Sequence, residues 1–141
     1  MQAAIERTAS AERELAKELL KAVDRHRDEH DVQQLGTELA EHASARLDSL
    51  ARAAVRYGID IDTDVSKPRL ARGRGLLEDL EELHARAARA SIAWTAVAQG
   101  AQALRDRDVL DTASECHADV LRTLRWTTQK VKEAAPQALS G

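Results

Sequence analysis

The stretch SIAWTAVAQGAQALRDRDVLDTASECHADVLRTLRW, residues 91–126, decides the fold because it holds two helical patterns on either side of one short turn. Small and apolar side chains recur at every third or fourth position on both sides of the charged sequence RDRD. This spacing is typical of one face of an amphipathic α-helix. The stretch therefore predicts a helical hairpin, with one helix ending near residue 105 and the next beginning near residue 108.

The same pattern extends outward to both ends of the chain. Predicted helices occupy residues 10–28, 31–57, 76–105 and 108–135, and Pro136 ends the last of them. Between the hairpins lies the connection GIDIDTDVSKPRLARGRG, residues 58–75, whose alternating apolar residues favour an extended chain. The sequence predicts an all-α four-helix bundle, made of two helical hairpins and a mid-chain connection, as a single domain over residues 1–141.

Two arrangements of the four helices are compatible with this pattern. A connection of about 15 extended residues reaches roughly 50 Å, whereas a helix of about 25 residues is roughly 37 Å long. The connection can therefore cross the whole bundle, as in ferritin-like folds, or fold back into an up-down-up-down bundle.

The overall composition narrows the classes of function. The chain has 21 basic and 24 acidic residues and a net charge of −3, so it lacks the basic excess of a general nucleic-acid binder. No run approaches the roughly 20 apolar residues that span a membrane, and no basic start leads into an apolar run. The lone Cys116 cannot form an internal disulfide, so the sequence predicts a protein of the reducing cytoplasm.

The segment ELAEHASARLDSLARAAVRYG, residues 38–58, together with residues 91–126, resembles the small bacterial ferritin-like families. The resemblance covers nearly the whole chain and implies a ferritin-like four-helix bundle. It also implies a di-iron site built from inward glutamates and Glu-x-x-His pairs. Under that interpretation, the residues that could bind iron or another transition metal are Glu12, His26, His42, His84 and His117.

Successive side chains on a helix are rotated by about 100°, so the direction of each candidate ligand can be compared with the inward direction that a di-iron site requires. By this measure the set of ligands is incomplete. Ser114 stands three residues before His117, where the family motif has Glu, and Glu115 points away from the apolar stripe. Among the acids only Glu12 faces squarely inward, and its place near the predicted start of the first helix favours an exposed capping role. The sequence thus predicts a degenerate di-iron site.

Cys116 and His117 are neighbours in the fourth helix, so their side chains diverge by about 100° and do not form a thiolate–imidazole pair. The predicted apolar stripe of this helix comprises Leu110, Ala113, Leu121, Leu124 and Thr128. Cys116 lies at the edge of the stripe and is predicted to be a small buried hydrophobe. His117 lies near its centre, so we predict a buried histidine that is hydrogen-bonded to Ser91 or Thr95.

The third helix is apolar nearly all round over residues 87–103, which is more than a single core covers. This predicts a second apolar face, joined by Trp126, that binds another copy of the chain or a partner protein. The first hypothesis is therefore a non-enzymatic helical module, a homodimer or larger, that self-associates or binds a partner. The alternative is a ferritin-like protein that binds iron or another transition metal, or an iron oxidase.

Overall fold

The computed structural model describes residues 1–66 and 74–140 and consists of four long helices. Their bounds are Gln2–Arg25 for α1, His30–Ala54 for α2, Leu76–Ala103 for α3 and Arg107–Ser140 for α4, and a single 3-10 turn, Val55–Tyr57, follows α2. The helices pack against one another and the described residues contain no strand, so the all-α four-helix prediction is confirmed. Over the same residues, no helix offers an apolar stretch long enough to cross a membrane.

Side chains fix the turns of both hairpins. Between α1 and α2, the Gln33 amide donates hydrogen bonds to the backbone carbonyls of Val23 and His26, at 2.5 and 3.0 Å. Between α3 and α4, the Asp106 carboxylate accepts a hydrogen bond from the Val109 backbone N–H at 3.2 Å. An acidic side chain in this position satisfies one of the free N–H groups at a helix start. Each hairpin is therefore closed by contacts between near neighbours in sequence.

Two apolar clusters mark the two ends of the bundle and reveal the directions of the helices. The first cluster joins the beginnings of α1 and α4 to the ends of α2 and α3, through Ile5, Val109, Leu50 and Val97. The second joins the later half of α1 and the middle of α4 to the first halves of α2 and α3, through Leu19, Val120, Leu39 and Leu83. Consequently α2 and α3 run parallel, and the end of α2 and the beginning of α3 lie at opposite ends of the bundle. Of the two arrangements compatible with the sequence, the structure has the crossover.

The connection between the hairpins lies along α1 where it is described. Ile59 is buried and Val65 packs against the first cluster. The backbone carbonyl of Asp62 accepts a hydrogen bond from Arg13 Nη1 at 3.0 Å. These contacts fit the extended chain that the sequence predicts, although residues 67–73 of the predicted connection lie outside the described residues.

Two predicted helix ends are wrong. The first helix, α1, begins at Gln2 rather than near the tenth residue, because Ile5 and Ala9 continue its buried stripe toward the N-terminus. The fourth helix, α4, continues through Pro136 to Ser140. Proline removes one backbone hydrogen bond and crowds the preceding turn, but here it does so near a free helix end, where the surrounding side chains are mostly exposed.

The buried stripe of α4 is rotated from the predicted one. Val109, Cys116 and Val120 face the bundle centre, so Cys116 belongs to the core rather than to its edge. The three leucines of the predicted stripe are only partly buried: Leu110, Leu121 and Leu124. Trp94 of α3 is fully buried in the same cluster as Val109 and Cys116. Its large ring fills volume that only smaller α4 side chains can share.

Candidate functional site

The seam between α2 and α4 holds a series of charged side chains that leads from solvent to the centre of the bundle. Its members are Glu38, His42 and Arg46 of α2, Asp119 and Arg122 of α4, and Glu12 of α1. We name this set the ion chain. Charged side chains are almost never fully buried unless they are paired, so the ion chain is the candidate functional site.

The inner end of the ion chain is the buried pair of Glu12 and Arg46. Both carboxylate oxygens of Glu12 accept hydrogen bonds from Arg46, one from Nε and the other from Nη2, the latter at 3.1 Å. The Glu12 side chain is 0% exposed and the Arg46 side chain 3%. Two parallel bonds between a guanidinium and a carboxylate fix the orientation of both groups as well as neutralising them.

The outer part of the ion chain continues from Arg46 to the surface. Arg46 Nη1 donates to Asp119 Oδ2 at 2.8 Å, and His42 Nδ1 lies 3.0 Å from Asp119 Oδ1. Arg122 Nη1 then lies 3.3 Å from His42 Nε2. The exposed fraction of the side chain rises outward, from 24% at Asp119 to 35% at His42 and 44% at Arg122. Water therefore reaches the outer members but not the inner pair.

Burial and charge act in opposite directions on the pKa values of the ion chain. Burial raises the pKa of the Glu12 carboxyl, against the charge and hydrogen bonds of Arg46. Burial acts to lower the pKa of Arg46, but the charge of Glu12 and the hydrogen bonds to Glu12 and Asp119 outweigh it and raise the pKa. Burial acts to raise the pKa of Asp119, yet its hydrogen bond to Arg46, the charge of Arg46 and the contact with His42 lower it. Because Arg46 keeps its proton and bonds both Glu12 oxygens, the pair is ionised despite the cost of burying Glu12.

Two buried side chains of the first apolar cluster, Trp94 and Cys116, interact electrostatically with Glu12. The indole N–H of Trp94 acts to lower the pKa of Glu12, although among the described residues it has no acceptor in normal hydrogen-bond geometry. Cys116 is 6% exposed, and burial together with the negative charge of Glu12 raises the pKa of its thiol to about 12. The predicted burial of Cys116 is confirmed. Its thiolate is scarce at neutral pH, and the thiolate is the nucleophilic form of cysteine.

The four histidines predicted as metal ligands contact four different partners. His26 Nε2 lies 2.6 Å from Asp79 Oδ2, His42 Nδ1 lies 3.0 Å from Asp119 Oδ1, His84 Nδ1 lies 2.9 Å from Thr127 Oγ1, and His117 Nε2 lies 3.1 Å from Ser91 Oγ. Across residues 1–66 and 74–140, no group of three or more His, Cys, Asp or Glu is placed to hold one metal ion. A di-iron site needs several inward carboxylates and histidines at one depth. The arrangement does not fit that centre, since Glu12 is bonded to Arg46 instead.

Two sequence predictions about these residues need correction in detail. Glu12 is not an exposed cap, because α1 begins at Gln2 and places Glu12 in the middle of the helix. His117 does bond Ser91, as one of its two predicted partners, but it is only partly buried. Its position follows from the rotation of α4, which brings Cys116 rather than His117 to the centre.

Sequence reasoning missed Arg46 and Asp119, although a signal for the arginine was present. Arg46 lies three residues after Ala43 and four before Leu50, both of which are buried. That spacing places it on the core face of α2. A charged residue on a core face indicates a buried partner, and Glu12 was the one acid already placed inward.

Comparison with known proteins provides no family for this chain. None of the known protein families, characterised proteins or solved structures compared with it gave a match. The ferritin-like resemblance therefore stays a prediction, and a function must be argued from the geometry of the molecule.

Proposed function

We propose that this protein is a non-enzymatic, ferritin-like helical bundle of the cytoplasm that acts by self-association through the outward face of α3. The ferritin-like part of the proposal is supported by the two hairpins and the crossover between them. The buried lone Cys116 supports a reducing compartment. The observation that carries the self-association is the exposed apolar face of α3.

The outward face of α3 is apolar at its centre. Ile92 is 68% exposed, and its exposed neighbours on this face are the small residues Ala85, Ala88, Thr95 and Ala96 together with one charged residue, Arg89. Residues 90–104 carry no charged side chain, in a chain of which 32% is charged. The positions recur at intervals of three and four, the spacing that packs one helix along another in a coiled coil. Alanines at such positions allow the two backbones to approach closely.

The charges at the two ends of α3 favour a second copy as the partner. The exposed Glu78 and Glu81 lie at its beginning, and the exposed Arg105 and Arg107 lie just beyond its end. A two-fold axis at Ile92 makes the two α3 helices antiparallel and sets Glu78 and Glu81 of each copy at the same level as Arg105 and Arg107 of the other. Trp126 is not needed for this surface, because it packs against the second apolar cluster.

The proposal is tested by placing a charge at the centre of the face. We expect the wild-type chain to be a dimer at high micromolar concentration in light scattering coupled to gel filtration. Ile92→Glu should be a monomer with unchanged helicity, because a carboxylate loses its water in the contact. Val55→Glu is the matched control, since Val55 is 72% exposed and lies outside α3. A monomeric wild-type chain, or a dimer that survives Ile92→Glu, would contradict the proposal.

The alternative function is a protein that binds iron or another transition metal, or an iron oxidase. The observation that favours it is the crossover topology, which ferritin-like metal proteins share. Elemental analysis of the purified chain measures this directly. Stoichiometric iron would support the alternative over the proposed module.

A further inference from the structure

All four helices contribute a side chain around the carboxylate of Glu12. Glu12 comes from the middle of α1, Arg46 from α2, Trp94 from α3, and Cys116 and Asp119 from α4. The Glu12 side chain is completely buried. A carboxyl group at such a place is either protonated or paired with a cation in direct contact, because burial of an isolated charge is very costly.

The guanidinium of Arg46 is that cation, and it is held on two sides. Its Nε and Nη2 donate to the two oxygens of Glu12, and its Nη1 donates to Asp119 Oδ2 at 2.8 Å. The two carboxylates belong to α1 and α4, while the arginine stem comes from α2. A planar group with a fixed fork of donors matches two carboxylates in this geometry better than a compact ammonium would.

We propose that the centre of this bundle is a cation-binding site whose resident cation is the Arg46 guanidinium, and that the site binds a free alkylguanidinium ion when the side chain is truncated. A side chain of the protein itself therefore occupies the site, whereas the ferritin-like resemblance implies that iron would occupy it. A divalent metal would have to displace a guanidinium that is bonded to both carboxylates. The remaining nearby imidazole, His42, lies on the far side of Asp119 and is bonded to it.

The shape of the truncated site specifies the ligand. Replacement of Arg46 by Ala removes two methylene carbons and the guanidinium, which together correspond to ethylguanidinium. The cavity keeps Glu12 and Asp119 as acceptors and keeps its buried surroundings. Ethylguanidinium is therefore the probe, and its binding to the folded state alone should raise the Tm with ligand concentration.

The experiment measures thermal unfolding of wild type, Arg46→Ala and the double variant Glu12→Gln/Arg46→Ala, each with increasing ethylguanidinium. We expect Arg46→Ala to lose Tm and to recover most of it in a saturable manner. Wild type should show no rise, because its site is filled, and the double variant should show little, because the buried charge is gone. Equal responses from Arg46→Ala and the double variant, or no response from either, would overturn the proposal.

Two measurements cover the remaining outcomes. If Arg46→Ala does not fold alone, refolding by dilution with and without ethylguanidinium replaces the thermal scan. Folded protein only with the ion supports the site, and unfolded protein in both cases contradicts it. Wild type is also dialysed against Co²⁺ and assayed for bound metal. Stoichiometric Co²⁺ that is lost in Glu12→Gln would show that a metal, rather than Arg46, is the resident cation.

Discussion

At the scale of single residues, Arg46 joins three helices through one planar group. It reaches from α2 to Glu12 of α1 and Asp119 of α4. Removal of one partner from a buried ion pair leaves the other charged and unpaired, which typically costs about 3–5 kcal/mol, whereas replacement of both by apolar groups is often neutral. The pair therefore constrains which side chains these positions accept together, and it adds much less to the free energy of unfolding than its short contacts suggest.

Asp119 gives the ion chain a predictable dependence on pH. The pKa of Asp119 in the folded protein lies below the ordinary 3.8. At a pH between the folded and unfolded pKa values, the unfolded chain therefore binds more protons than the folded protein. The stability that Asp119 contributes is complete above the unfolded pKa and is lost as pH falls through the folded one. We expect Asp119→Asn to flatten the fall in the free energy of unfolding below about pH 4, as measured by urea titrations from pH 7 to pH 3. The exposed Asp48→Asn is the control, and equal curves for wild type and Asp119→Asn would refute this assignment.

Helix phase predicted some side-chain contacts of this molecule and not others. The bond between His117 and Ser91 was predictable because the two helices form one hairpin with a short turn, which fixes their relative register. The Arg46 contact with Asp119 was not, because it joins different hairpins, and their relative position depends on the crossover. Phase alone gives the direction of a side chain and says nothing of the charge that it meets.

At the scale of elements, α4 shows how volume can override pattern. Its leucines suggested one core face, yet the structure buries a face of smaller residues beside Trp94. A periodic pattern weights large apolar residues, whereas packing requires that facing volumes add up to the space available. The existence of α4 and its beginning were predictable from sequence, and its rotation by about one residue required knowledge of the side chain opposite.

Two helical glycines provide a matched test of close packing between elements. A Cβ at Gly36 would lie 2.7 Å from Val23 Cγ2 on α1, and one at Gly100 would lie 2.9 Å from Met1 Cε. Valine is stiff, whereas the end of a methionine side chain can turn aside. We expect Gly36→Ala to lower the free energy of unfolding by about 1–3 kcal/mol, and Gly100→Ala to raise it by about 0.5–1 kcal/mol through helix propensity. Urea denaturation measures both, and a shift of the same sign in the two variants would show that this account is mistaken.

At the scale of the whole molecule, the crossover determines which surfaces are available for assembly. The chain between the hairpins runs along α1 where it is described, so that side of the bundle is partly covered. The outward face of α3 carries no such cover among the described contacts and exposes Ile92. The sequence could not decide between the crossover and the up-down-up-down arrangement, because the connection is long enough for either.

In the antiparallel dimer, the charges at one end of α3 face the charges at the other end of α3 in the second copy. A charge reversal at one end should therefore be compensated by a charge reversal at the other. Arg105→Glu/Arg107→Glu should weaken the dimer about thirtyfold, since each exposed ion pair contributes about 0.5 kcal/mol and the two-fold axis doubles their number to four. Adding Glu78→Arg/Glu81→Arg to the same chain should restore the affinity, because each end again faces its opposite. Analytical ultracentrifugation at low ionic strength measures the Kd of each variant. If the quadruple variant dimerises no better than the double variant, the two α3 helices do not pair in the antiparallel direction.

The arrangement of the ion chain along the sequence also sets an order of events in folding. Glu12 and Arg46 are 34 residues apart and belong to the first hairpin, whereas Arg46 and Asp119 are 73 apart and belong to different hairpins. Contacts of short loop length form at smaller entropic cost, so the first hairpin is expected to close its charge pair before the second docks. When the second hairpin docks, the carboxylate of Glu12 in the first hairpin is then already paired with Arg46. The slow step of folding should therefore depend on apolar contacts between hairpins, such as Ile5 with Val97 and Val109, and hardly at all on the acidity of Glu12.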